Sequence, residues 1–121
     1  MVSPDGKFIA YYHNEPDAVK PWQIGVMSID GGEPLKMYDI PANRGLPRWT
    51  ADSKSLITMT GGSSDLWEYP LDGGQPRQLT DYQVERNAYF AFSPDFKQIA
   101  FSRGNDFSET VLINLANRSQ K

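Results

Sequence analysis

Cysteine is absent from this 121-residue chain, and histidine occurs once, at His13. The first absence removes a disulfide framework and thiolate chemistry, and it is compatible with any compartment. The second leaves a hydrolytic triad a single candidate base. Long apolar runs are missing as well. The longest, such as 88–92, fall far short of the roughly 20 residues a membrane-spanning helix needs. The first residues show neither the basic nor the apolar region of a signal peptide. A soluble chain without signal peptide or membrane insertion is therefore expected, with periplasmic and cytoplasmic locations both open. Positive charge is outnumbered too: 12 Lys and Arg face 15 Asp and Glu, a net charge of -3, without a run of like charge. That argues against nucleic acid as a partner, which calls for a clustered basic face. Helical periodicity is lacking throughout, so no glycine-rich phosphate loop can open a helix, and no cofactor is indicated.

What the chain does contain is repetition. Ser-Pro-Asp-Gly-Lys at 3–7 is followed by an alternating apolar run, and Ser-Pro-Asp-Phe-Lys at 93–97 by another. Thr-Ala-Asp-Ser-Lys at 50–54 is the same phrase with different letters. The aspartates, Asp5, Asp52 and Asp95, lie 47 and 43 residues apart. β-Branched and aromatic runs behind turn residues read as strands. A short apolar run precedes two of the turns, at 46–49 and 88–92. A third strand is expected at 22–29, 65–71 and 109–115. Two of these end in the same Asp-Gly-Gly turn, at 30–32 and 72–74, a strong hairpin signal whose Asp bonds the turn backbone. A proline-opened fourth strand follows at 34–40 and 76–80, suited to a sheet edge.

Four short antiparallel strands, A to D, recurring every 42–47 residues are the blades of a β-propeller. The expectation is an all-β chain with one segment over 1–121. Blade 1 covers about 1–41 without most of strand A, blade 2 about 42–82, and blade 3 about 83–121 without most of strand D. Trp49 aligns with Phe92 and is expected in the core between blades. Trp67 is expected to pack in mid-strand, and Trp22, near a loop, to be the more exposed tryptophan.

These phrases, with 72–80 (Asp-Gly-Gly-Gln-Pro-Arg-Gln-Leu-Thr), resemble the repeats of TolB-type propellers across nearly the whole chain. The ending from Phe90 resembles the last blade of large bacterial proteins in which a propeller follows a protein-kinase or winged-helix regulatory domain, neither of which is present here. Ser53 and Phe96 stand where the family often has glycine. The resemblance implies a six-bladed ring. Three blades leave two open faces, so the chain itself is the expected first partner, a homodimer closing one ring through its terminal blades; the alternative is a truncated piece of a longer protein, poorly folded or aggregated alone.

Binding is expected on the face carrying the unequal D-to-A and B-to-C loops, since variable loops on a rigid scaffold are where recognition sits. Asn43 and Arg44 in one D-to-A loop, and Arg86 and Asn87 in the next, arrive just before the strand nearest the channel. Guanidinium forks suit carboxylate or phosphate groups, so a protein, peptide or small anionic ligand is expected over the channel mouth. The bland reading of these arginines is loop capping or pairing with Glu85 and Asp81. His13, Ser64, Asp65 and Arg103 are candidates for the outer rim. The competing class is a small hydrolase in which His13 activates Ser63 or Ser64, although the Gly-x-Ser-x-Gly elbow is missing. Prolyl-oligopeptidase-type enzymes, by the same resemblance, keep their catalytic residues in a separate hydrolase domain. His13, Glu15 and Asp17 match no metal-loop spacing, so no metal site is expected. The prevailing expectation is a non-catalytic binding module.

Overall fold

The computed structural model describes residues 1–16, 22–39, 46–60, 65–81, 90–103, 109–116 and 119–120. Eleven strands form three antiparallel sheets. Blade 1 consists of β1 (Phe8–His13), β2 (Gln23–Ser28) and β3 (Lys36–Asp39). Blade 2 consists of β4 (Arg48–Trp49), β5 (Ser55–Thr60), β6 (Asp65–Pro70) and β7 (Arg77–Gln78). Blade 3 consists of β8 (Phe90–Phe92), β9 (Gln98–Arg103), β10 (Glu109–Asn114) and β11 (Ser119–Gln120). Within each sheet the strands lie side by side in chain order, as hairpin-connected strands do.

The abbreviated ends still follow the pattern. Val2 bridges Ile9 where Trp49 pairs with Leu56 and Phe92 with Ile99, so Val2 is the stub of a strand A. Six residues suffice for a short outer strand in blade 3, because Ser119 and Gln120 pair with Asn114 and Ile113.

The repeated phrase is a repeated hydrogen-bond device. In blade 1 the Ser3 hydroxyl donates to Asp5 Oδ1 and accepts from the Phe8 amide, while the Lys7 amide donates to the same carboxylate oxygen. Thr50, Asp52 and the amides of Lys54 and Ser55 repeat this in blade 2, and Ser93, Asp95 and the amides of Lys97 and Gln98 in blade 3. The hydroxyl hydrogen bond, followed by the lysine amide, holds all three carboxyls below their ordinary 3.8. The residue after each Asp turns left-handed: Gly6 at φ 73°, Ser53 at 60° and Phe96 at 59°. For a side-chain-bearing residue that costs about 1–2 kcal/mol. Ser53 offsets some of it, since its buried hydroxyl accepts a hydrogen bond from the Asp5 amide of blade 1.

Burial lies between sheets. Ala10, Ile24 and Val26 of blade 1 pack with Trp49, Leu56 and Tyr69 of blade 2, flanked by Phe8, Tyr12, Tyr38 and Trp67. Phe8 stacks on Trp49 at 6.2 Å, and Trp49 Nε1 donates to the Met1 carbonyl at 3.0 Å. The Tyr38 hydroxyl crosses the same seam to the Pro70 carbonyl at 2.8 Å. Burial, with the Asp72 charge adding to it, pushes that phenol up to about 12. The second seam joins Ile57, Met59 and Leu66 of blade 2 to Phe90, Ile99, Phe101, Val111 and Ile113 of blade 3. Trp49 and Trp67 thus pack between blades, and Trp22 is 45% exposed. No helix among the described residues is long and apolar enough to cross a membrane.

Candidate functional site

The two ends of the sheets differ. One carries the Asp turns and the Asp-Gly-Gly turns. The other carries the connections between β1 and β2, between β5 and β6 and between β9 and β10, together with those from blade to blade. Asn43, Arg44, Arg86, Asn87, Ser63 and Ser64 belong to these connections and lie outside the described residues, as does the side chain of Arg103, the last residue of β9.

Blade 1 supplies the described part of this end. His13, the last residue of β1, pairs with Gln23, the first of β2, which in turn pairs with Asp39, the last of β3. Register therefore brings the three strand ends into one row. Gln23 Nε2 donates to Asp39 Oδ1 at 2.6 Å. His13 is half-exposed, with Nε2 3.7 Å from Glu15 Oε1. Next to them the exposed Trp22 meets Tyr12 edge-on at 6.1 Å. The Tyr12 phenol is raised above its ordinary value by burial, against a smaller lowering by its hydrogen bond with Thr58. Sequence reasoning singled out His13 and Trp22 here but not Gln23 or Asp39, whose association follows from strand register.

Asp65 is a correction. It was expected on the rim, but at 2% exposure it is buried at the start of β6. Strand alternation puts it on the same side of blade 2 as Trp67 and Tyr69, the side facing blade 1. Its Oδ1 accepts from the Thr80 hydroxyl at 2.7 Å, and that hydroxyl accepts from the Leu66 amide at 2.9 Å. The carboxylate thereby ties the outer edge of blade 2 to β6. No cluster of three or more potential metal-ligating residues is found among the described residues.

Comparison with solved structures decides the fold. TolB from Acinetobacter baumannii superposes with a TM-score of 0.73 at 22% identity, over 96% of this chain and 30% of that one. A TolB-like protein of Agrobacterium tumefaciens gives 0.71 at 19% identity, over 99% and 46%. The fold is that of the TolB-like β-propellers. No family model matches the chain. Among curated proteins it is similar to an uncharacterized peptidase, YuxL, of Bacillus subtilis, with 28% identity over 121 residues. It is also similar to dipeptidyl-peptidase 5 of Porphyromonas gingivalis, with 33% identity over 113 residues. These matches take in 98% and 89% of this chain but only 17% and 16% of the relatives, so the chain spans about a sixth of their length.

Proposed function

We propose that this propeller segment is a non-catalytic recognition module that docks a peptide, a protein segment or another small anionic ligand over the channel mouth. The observation that carries the reading is the inequality of the two sheet ends. Three turns held by the same hydroxyl–carboxylate device occupy one end, while the connections at the other end differ in length and composition from blade to blade. A scaffold that repeats on one side and varies on the other is suited to recognition on the varied side. The peptidase names of the relatives favour a peptide as the occupant. In this reading Asn43, Arg44, Arg86 and Asn87 grip a carboxylate, and Trp22 with His13 forms part of the outer wall.

The hydrolase reading draws on the same names and assigns His13 and Ser63 or Ser64 to the reaction. The Oδ1 of Asp65, the acid that reading would call on, accepts from the Thr80 hydroxyl at 2.7 Å, a structural contact within blade 2. The two readings separate with labelled peptides that carry a free or an amidated C-terminus, followed by fluorescence anisotropy and by cleavage. The binding module predicts uptake of the free-carboxylate peptide without cleavage, a loss of about tenfold or about 1.4 kcal/mol in Arg44→Ala plus Arg86→Ala, and a smaller loss in His13→Ala, at the outer wall. Equal binding by the double variant, or cleavage abolished by His13→Ala, would overturn it.

A further inference from the structure

Asp-Gly occurs three times, at 5–6, 30–31 and 72–73, always in a turn at the same end of the sheets and with the aspartate exposed. Glycine after aspartate leaves the main-chain amide unshielded by a Cβ, so in each pair that amide can reach the side-chain carboxyl. The fold treats the three carboxyls differently. Asp5 Oδ1 is held by the Ser3 hydroxyl and the Lys7 amide. Asp72 Oδ1 accepts from the Gly74 amide at 2.8 Å. The Asp30 carboxyl has no hydrogen-bond or ion-pair partner among the described residues; only its amide is engaged, donating to the Ser28 hydroxyl at 3.2 Å. The surroundings of the two Asp-Gly-Gly turns differ in the same sense. A Cβ on Gly31 or Gly32 would meet nothing within 4 Å, whereas one on Gly73 would lie 3.7 Å from Lys36 Nζ and one on Gly74 2.9 Å from Asp72 Oδ1. Gly31 and Gly32 are both left-handed, at φ 92° and 98°, and Glu33, Pro34 and Leu35 after them are exposed.

The glycine amides give a second, opposing contrast. Gly6 donates to the Ser3 carbonyl at 2.9 Å and Gly31 to the Ser28 carbonyl at 3.0 Å. Gly73 has no comparable bond among the described residues, and the Pro70 carbonyl takes the Tyr38 hydroxyl instead. A hydrogen bond to an ionised carboxylate is stronger than a neutral turn bond, so the carboxyl decides the order. Asp30 is restrained by the weaker bond alone, Asp72 by the stronger and Asp5 by both. We propose that Asp30–Gly31 is the Asp-Gly pair at which this chain isomerises first, through a cyclic imide. The Gly31 nitrogen attacks the protonated carboxyl of Asp30: an N–Cγ bond forms, the Cγ–OH bond breaks, and the hydroxyl leaves with the amide proton as water. Water then adds to either imide carbonyl and breaks one C–N bond, which restores aspartate or gives isoaspartate. No other reactant is needed. At Asp5 the Ser3 hydroxyl, followed by the Lys7 amide, holds the carboxyl below its ordinary 3.8 and keeps the reactive acid form scarce. Isoaspartate at position 30 adds a main-chain carbon between β2 and β3. β3 is the last strand of its sheet and carries Tyr38 into the first seam, so the change is placed to loosen the Tyr38–Pro70 bond. This inference concerns ageing of the chain and stands whether or not a peptide is the ligand.

The test is peptide mapping by mass spectrometry, with fragment ions that separate isoaspartate from aspartate, on the wild-type chain aged in warm, mildly acidic buffer. A parallel sample is aged in urea. In the folded chain isoaspartate should accumulate first at Asp30, about tenfold faster than at Asp5, with Asp72 between them. Hydroxylamine, which cleaves the imide, should cut the aged folded chain chiefly after Asp30. In urea the restraints are gone and the three rates should converge. Equal rates in the folded chain, or Asp72 ahead of Asp30, would overturn the proposal. So would an order that persists unchanged in urea, since it would then come from the neighbouring residues and not from the fold.

Discussion

Blade 1 has two faces of similar residues and opposite fates. Phe8, Ala10, Tyr12, Ile24 and Val26 look toward blade 2 and form a core with Trp49, Leu56 and Tyr69. Val2, Ile9, Tyr11, Met27 and Met37 look the other way and remain wholly or partly exposed. The alternation along β1 and β2 is apolar on both sides, as it is in a sheet covered on two faces. Burial in this fold is therefore set by whether a neighbouring sheet is present, more than by residue type. The third blade makes the complementary point. Its face toward blade 2 is built from Phe90, Ile99, Phe101, Val111 and Ile113, whereas its far face mixes Ala100 and Leu112 with Gln98, Ser102, Thr110 and Asn114. A polar group buried without a partner is costly, so a junction formed there should be weaker than the seams inside the chain.

The largest expected effect comes from Trp49, which holds the first seam by its ring and by its bond to Met1. Trp49→Ala should cost about 3–5 kcal/mol in urea unfolding. Met37→Ala on the open face, measured on dilute single chains, should stay within about 0.5 kcal/mol. Comparable losses from the two would erase the distinction between the faces. A smaller effect tests the bond across the seam: Ser53→Ala leaves the Asp5 amide without its acceptor and should cost about 1 kcal/mol. Substitution of Phe96, which has no such acceptor, should show no coupling to the Asp52 turn. The smallest effect is on acid stability. Asp5, Asp52 and Asp95 have folded values lowered from 3.8. Their contribution is complete above the unfolded value and declines as pH falls through the lower folded values. Melting temperature should fall below about pH 4, and Asp5→Asn, Asp52→Asn and Asp95→Asn together should flatten that limb.

Much of this arrangement was legible in the residues, because the device that repeats is local. The hydroxyl and carboxylate of each turn lie two positions apart, so the three phrases announce three hairpins, and the alignment of Trp49 with Phe92 announces the seams. Contacts that depend on register were hidden. Asp65 looked like a loop residue beside Ser64, and its burial required Thr80, fifteen positions on, to fold back over it. The pairing of Asp5 with Ser53 spans 48 positions and is carried by a residue that, by sequence, only departs from glycine. The arginines Arg44 and Arg86 rest on sequence alone.

If burial follows the seams between blades, methionine oxidation should report it directly. Met27 and Met37 line the open face of blade 1, while Met59 is 4% exposed in the second seam. The decisive measurement is hydroxyl-radical footprinting of the three methionines. Met37, 39% exposed, should oxidise fastest and Met59 should be protected throughout. Met59 oxidising as fast as Met37 would contradict the packing of the second seam.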